Sequence, residues 1–233
     1  MIVEYEDRHS EHGLFIERGL LGDGDQAAVV ALAREITGVA PLVRPTMADG
    51  TAMRVQITSC GDVGWMAGRH GYHYALRHPS AGPWPPMSRV LRGILGGILA
   101  AVYGDDMAWM AGIYDTCLLN WYGPRDSLGW HQDVTEDDRC MPIVGISLGD
   151  PARFEIELVD ETVSTIVRGG DVVVMGGFSR LARHRVAEVM PPDLFGPRSP
   201  LSRPGRPGRL SLTFRRARCL PGEVEDRVRR RKR

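Results

Sequence analysis

Near residue 117 the hydrophobic positions along this chain change their period. Upstream, apolar residues recur every three or four positions. In DGDQAAVVALAREITG (23–38) alanines and a leucine fall at helical spacing, with Asp23 or Asp25 as the expected N-cap and Gly38 as the stop. In SRVLRGILGGILAAVYG (88–104) Val90, Leu91, Ile94, Leu95, Ile98, Leu99 and Val102 form one stripe behind a Ser88 cap. Both helices are expected to pack against a sheet. Gly93, Gly96 and Gly97 look like small-residue packing in a membrane, but Arg89, Arg92 and the short apolar length argue against a span.

Downstream the period falls to two. CLLNWY, PIVGISL, RFEIEL, TVSTIV, DVVVMG, HRVAEVM and RLSLTFR each alternate or are rich in β-branched residues. Gly169-Gly170 reads as a hairpin turn between two of them. Many short strands at this spacing predict a sandwich or jelly roll. The segment PPDLFGPRSPLSRPGRPG (191–208) is expected to be a long irregular loop. The closing EVEDRVRRRKR reads as a solvated basic tail, with contact to phosphate as the alternative.

Composition changes this picture little. The 233 residues suffice for one large domain, and 43% hydrophobic residues suffice for a core. Lys+Arg and Asp+Glu both total 29, so no global field draws the chain to nucleic acid or a membrane. Lys232 is the only lysine, which reflects genome composition more than function. Cys60, Cys117, Cys140 and Cys219 are scattered, and suggest neither a zinc ribbon nor a disulfide framework. The start, MIVEYEDRHSEHG, is unlike a signal peptide, and no apolar run reaches spanning length. The expectation is a reducing cytoplasm.

Candidate chemistry begins at GWHQDVTEDD (129–138). His131 and Asp133 are two apart, so in extended chain their side chains share a face. An imidazole and a carboxylate then converge, as two of the three ligands of a non-haem iron site. A surface loop with an incidental pair is the plain alternative. His184, opening a strand in SRLARHRVAEV, is the best third ligand. His9 and His12 lie in the charged N-terminus, and His70, His73 and His78 in a polar segment that reads as loop. In RLSLTFR, Arg209, Ser211, Thr213 and Arg215 share one face and Leu210, Leu212 and Phe214 the other. This describes an edge strand with a wet face, or a strand whose polar face lines a barrel. In the second case two guanidinium groups stand beside the metal, suited to a small dicarboxylate. Asn120 and Tyr122 alternate onto one face of their strand and add an amide and a phenol. Zinc would explain the ligands but leave the arginines without a purpose.

These motifs together resemble the AlkB family of iron(II)- and 2-oxoglutarate-dependent dioxygenases over roughly residues 40 to 216. The resemblance rests on NWY followed by HQD, PIVGISLG, GGDVVVMGGFSRLARH and RLSLTFR. Upstream, SCGDVGWMAGRHGYHY and PWPPM look like the family's nucleotide-recognition segment. It implies a mainly β, α+β chain: a double-stranded β-helix (jelly roll) core over 84–216, behind an N-terminal extension and lid over 1–83, with 217–233 as the tail of a single domain. It further implies Fe(II) on His131, Asp133 and His184, which are also the catalytic set. Asn120, Tyr122, Arg209, Ser211, Thr213 and Arg215 would hold 2-oxoglutarate, with Arg209 on its distal carboxylate and Arg215 near the one that chelates iron.

The implied reaction consumes O2 and decarboxylates 2-oxoglutarate to succinate while hydroxylating an N-alkyl carbon, which leaves as aldehyde. The implied partner is alkylated DNA, preferably single-stranded and of the 1-methyladenine or 3-methylcytosine type, acted on by a monomer with no membrane. Trp65 would stack on the base opposite His184, and Tyr72 and Tyr74 would touch the flanking backbone, with lid packing as the alternative for this cluster. Thr135 replaces an acid of the DNA-repair members, Met175 an aromatic, and Ser211 an asparagine. The acidic EIELVDET stands where a basic contact would be expected. The same chemistry on RNA, a protein or a small molecule remains open, as does a catalytically silent nucleic-acid-binding module.

Overall fold

The computed structural model describes residues 2–47, 49–68, 71–191 and 208–218. The first half contains β1 (Ile2–Glu4), β2 (Leu14–Glu17), α1 (Asp23–Val39), β3 (Gln56–Gly61), β4 (Gly64–Gly68), β5 (Gly71–Ala75), β6 (Arg77–His78), β7 (Gly82–Pro83) and α2 (Arg89–Tyr103). After them come β8 (Thr116–Tyr122), β9 (Leu128–His131), β10 (Ile143–Gly149), β11 (Ala152–Glu157), β12 (Thr162–Val167), β13 (Val172–Met175), β14 (His184–Val189) and β15 (Arg209–Arg215). A larger sheet has the order β2-β13-β10-β15-β8-β3 and a smaller one β1-β12-β11-β14-β9. Every pairing within them is antiparallel except β1 with β12. This is a jelly roll, one of the two architectures the strand spacing pointed to and the double-stranded β-helix that the family resemblance implied.

Alternation decides the surroundings of each side of the larger sheet. Along β10, Val144, Ile146 and Leu148 pack with Val29, Val30 and Ala33 of α1 and Leu91, Leu95 and Leu99 of α2 in one buried cluster. Between them, Ile143, Gly145 and Ser147 face the interior of the roll. β15 repeats the pattern: Leu210, Leu212 and Phe214 join the helix-side cluster, and its polar residues point inward. The strand lies between β10 and β8, so it is no edge strand. The other half of the interior is apolar, with Leu14, Ile16, Ile57, Phe154, Ile156, Val163 and Val173 from both sheets. Burial at about 25 cal/mol per Å2 makes these two clusters the main stabilising term.

Several expectations need correction. α1 is preceded by Gly22 with no side-chain cap, and Asp23 and Asp25 lie in its first turn, where their charge suits the helix dipole. The helix also runs past Gly38 to Val39. Ser88 does cap α2, its Oγ accepting from the Leu91 N–H at 3.1 Å, but Val90 is exposed and lies off the buried stripe. Gly169-Gly170 is not a hairpin turn, because β12 belongs to the smaller sheet and β13 to the larger. The turn carries the chain between sheets; Gly170 has φ 91°, and a Cβ there would sit 2.8 Å from the Leu21 carbonyl oxygen.

Nor does residue 83/84 divide lid from core. β1, β2 and β3 are strands of the two sheets, and only the β4–β5 and β6–β7 hairpins stand apart from them. β3 escaped the periodicity because it is buried along nearly its whole length while carrying Thr58 and Ser59, one on each face. Thr58 is satisfied by donating to the Ala40 carbonyl at 2.8 Å. His73 and His78 lie on β5 and β6 and not in a loop, whereas His70 lies outside the described residues, as do 192–207 of the proline-rich segment and 219–233 of the tail. At the start of that tail the Ala217 and Arg218 N–H groups donate to the Asp115 carboxylate at 2.6 and 2.9 Å. Among the described residues no helix is long and apolar enough to cross a membrane.

Candidate metal centre and anion pocket

β9 and β14 pair with His131 opposite His184. Directly opposed residues bring their Cβ atoms to about 4.5–5.5 Å on one face, and the two imidazole centroids are 4.3 Å apart. Asp133, two residues beyond β9, turns into the same space and is buried. One ligand atom from each of the three lies within 4.8 Å of the others.

The imidazole tautomers are set by their neighbours. His131 Nδ1 lies 2.8 Å from the Gly129 carbonyl and His184 Nδ1 3.1 Å from that of Ala182. A carbonyl only accepts, so each Nδ1 carries the proton and each Nε2 presents a lone pair, the form a metal requires. Burial pulls the His184 pKa down to about 4, partly opposed by Asp133, so the ring is neutral near pH 7. Burial alone would raise the Asp133 carboxyl, but Arg215, then His184 and His131, hold it below the usual carboxylate range. Two imidazole Nε2 atoms and one carboxylate, open on one side to a cavity of about 70 Å3, fit Fe(II) with positions to spare.

Beside this triad the cavity is lined by Asn120, Tyr122, Ser147, Arg209, Ser211 and Thr213. β15 lies between β10 and β8, with Ser211 opposite Ser147 on one side and Asn120 on the other. Arg209 is 4% exposed and donates from Nη2 to Ser147 Oγ at 2.9 Å. Its Nε and Nη1 are buried and have no hydrogen-bond partner among the described residues; the same holds for Asn120 Oδ1. Burial lowers the Arg209 pKa, opposed in part by Tyr122 and then Asp171. A guanidinium kept from water without an acid beside it is costly unless an anion completes it. The pocket therefore fits a carboxylate, and a dicarboxylate could reach from Arg209 to the triad.

Arg215 is arranged differently. Its Nη2 is 2.9 Å from Asp133 Oδ2, and its Nη1 donates to Glu136 Oε1 at 3.1 Å. Glu136, almost fully buried, also accepts from Arg180 Nη2 at 3.3 Å and from the Tyr74 hydroxyl at 2.5 Å. Arg180 further donates to the backbone carbonyls of Asp133 and Met141, each at 2.8 Å, and so holds the loop that carries the metal-facing carboxylate. Sequence reasoning gave Glu136 and Arg180 no role here. Glu136 sits in the run TEDD, which reads as solvated, and nothing local marks it and Asp138 as the two acids of that run that turn inward.

On the β4–β5 hairpin Trp65 stacks on Tyr72, with centroids 5.1 Å apart and 28° between planes, and Tyr72 is 55% exposed. Tyr74, on the same face of β5, instead directs its hydroxyl inward to Glu136 and Arg215. That hydroxyl is engaged inside the protein, where a contact to nucleic-acid backbone was expected. Met175 lines the cavity; Thr135, half-buried, does not.

Residues 13–215 match the family model of the 2OG-Fe(II) oxygenase superfamily. The chain is 38% identical over 210 residues to the alpha-ketoglutarate-dependent dioxygenase AlkB homolog of Caulobacter vibrioides, covering 88% of both chains. To the alpha-ketoglutarate-dependent dioxygenase AlkB of Escherichia coli K12 it is 36% identical over 167 residues, covering 68% of this chain and 74% of that one. Its fold is similar to the solved structure of OsALKBH1, with a TM-score of 0.70, 25% identity, and 87% and 96% of the two chains covered.

Proposed function

Since the chain belongs to the AlkB family of 2OG-Fe(II) oxygenases, an oxidative dealkylase of nucleic acids, we propose that it acts on 1-methyladenine and 3-methylcytosine in single-stranded DNA. When bound, Fe(II) and 2-oxoglutarate supply the oxidising chemistry, with O2 as the third reactant and succinate as the co-product. The residues of this chain bind and orient. His131 and His184 would hold the metal through Nε2 and Asp133 through a carboxylate oxygen. Arg209 would take the distal carboxylate of 2-oxoglutarate with its two unpartnered nitrogens, and Asn120, Tyr122, Ser211 and Thr213 would line the same space. Arg215, already paired with Asp133, would stand near the end of the co-substrate that reaches the metal.

The observation that carries this reading is Arg209, a buried guanidinium with unfilled donors in one cavity with a His-Asp-His triad. For the substrate, support comes from the stacked and partly exposed Trp65–Tyr72 pair, since every base offers a π-face to an aromatic platform. A base must leave the stack to reach a buried metal, which favours single strands.

The test is succinate release with oligonucleotides carrying one methylated base. We expect release with methylated single-stranded DNA and little with the unmodified strand. Equal or faster release with methylated RNA would move the substrate to RNA and leave the chemistry standing. No methyl-dependent release from either would refute the proposal.

A further inference from the structure

Tyr74 joins two parts of the molecule that serve different ends. On one face of β4–β5 the Trp65–Tyr72 stack lies next to Tyr74, which is the direct cross-strand partner of Trp65. The Tyr74 hydroxyl leaves the hairpin and donates to Glu136 at 2.5 Å. Glu136 holds Arg215 at 3.1 Å, and Arg215 holds Asp133 at 2.9 Å. Three contacts therefore connect the aromatic platform to the metal-facing carboxylate. Arg180 fixes the far side of this chain, gripping both Glu136 and the Asp133 backbone.

Two arginines and two carboxylates make the buried cluster neutral, and the Tyr74 hydroxyl reaches it from the hairpin, donating to Glu136 and accepting from Arg215 Nη1 at 3.4 Å. Burial raises the phenol's pKa far above its ordinary value, so the hydroxyl stays a donor at any working pH. A shift of β5 that lengthens the 2.5 Å contact leaves Glu136 to Arg215 and Arg180 alone. Arg215 then has freedom to change its grip on Asp133, next to the space proposed for the co-substrate.

We propose that Tyr74 is a positioning residue that couples occupancy of the β4–β5 hairpin by a substrate strand to 2-oxoglutarate affinity, acting through Glu136 and Arg215. The proposal rests on the assignment of the cavity to 2-oxoglutarate and of the hairpin to a nucleic-acid strand. Coupling between two binding equilibria is reciprocal, so it is measurable from either side.

The experiment is calorimetric titration of 2-oxoglutarate into the full chain loaded with Mn(II), which prevents turnover. It is run alone, with a single-stranded oligonucleotide carrying 1-methyladenine, and with the same strand unmodified. In the wild-type protein the methylated strand is expected to tighten 2-oxoglutarate binding about tenfold, slightly less than a whole hydrogen bond to a charged group supplies. Tyr74→Phe keeps the ring and its packing and should bring that ratio close to one. Glu136→Gln should lower the ratio, and the double variant should lower it no further than the larger single effect. Glu136→Gln leaves two buried arginines with less charge between them, so a failure of that variant to fold would leave Tyr74→Phe as the deciding measurement.

A ratio unchanged by Tyr74→Phe would overturn the proposal. So would a wild-type ratio of one, while methyl-dependent succinate release would still support the functional reading. Wild-type protein that binds no 2-oxoglutarate would overturn both.

Discussion

Replacing Arg209 by alanine separates function from stability. Among the described residues the guanidinium makes one hydrogen bond, to Ser147 at 2.9 Å, and its Cζ lies 5.7 Å from the Tyr122 ring centroid. Asp171, the acid that acts on it most, is already held by Arg18 at 2.9 Å. Truncation thus removes a buried cation without leaving a buried anion unpaired, so the ligand-free protein should change by only about 1 kcal/mol in either direction. Binding should respond quite differently. Nε and Nη1 stand ready for a carboxylate, and two charge-assisted hydrogen bonds at about 1.5–3 kcal/mol each amount to about 3–6 kcal/mol. Water entering the vacated space returns part of this, so the dissociation constant for 2-oxoglutarate should rise at least about 100-fold. Arg209→Lys should recover only part of the loss, because an ammonium cannot present two parallel donors.

Thermal unfolding with Mn(II), with and without 2-oxoglutarate, reads both quantities. Ligand at about 100 times the wild-type dissociation constant stabilises by about 2.7 kcal/mol, and that increment should fall to about 0.4 kcal/mol or less in Arg209→Ala. The reasoning fails if the variant keeps the increment, or if it is unfolded without ligand.

Arg215→Ala should behave in the opposite way, since it leaves Asp133 and Glu136 buried with less opposing charge. A loss of about 3–5 kcal/mol in urea unfolding is expected, and a loss under about 1 kcal/mol would contradict the pairing. In the metal-free protein His184 has its pKa lowered to about 4, against about 6.5 in the unfolded chain. Its contribution is therefore fully present above about pH 6.5 and is lost as pH falls from there toward 4, by up to about 1.4 kcal/mol per unit. His184→Gln should flatten that limb of the stability profile, and an unaltered slope would show that the ring titrates normally. Gly64→Ala would place a Cβ 2.2 Å from Trp84 Cε2, and Trp84 anchors the hairpin by donating to the Ala75 carbonyl at 2.8 Å. Overpacking of about 1–3 kcal/mol is expected, seen as faster hydrogen exchange in 64–75 with the sheets unaffected; uniform exchange throughout would refute the local account.

Some of this was legible in the order of residues. Alternation is a property of the extended backbone, so RLSLTFR placed Arg209, Ser211, Thr213 and Arg215 on one face whatever surrounds them, and HQD put His131 and Asp133 on one side. His184, opening a strand of its own, was the best third partner, and the family's motifs agreed with it. Which way a face points is another matter. β15 turns its arginines inward because α1 and α2 cover Leu210, Leu212 and Phe214 from the opposite side, and those helices lie more than 100 residues earlier. His131 meets His184 because β9 pairs with β14, which no local pattern encodes. Glu136 and Arg180 were missed for the same reason. Charged side chains read as solvated until a tertiary partner is known, and theirs come from β5, β15 and each other. Local sterics set which residues lie side by side; burying apolar area between distant segments sets which of those faces is closed off from water, and with it where a charge can be kept for chemistry.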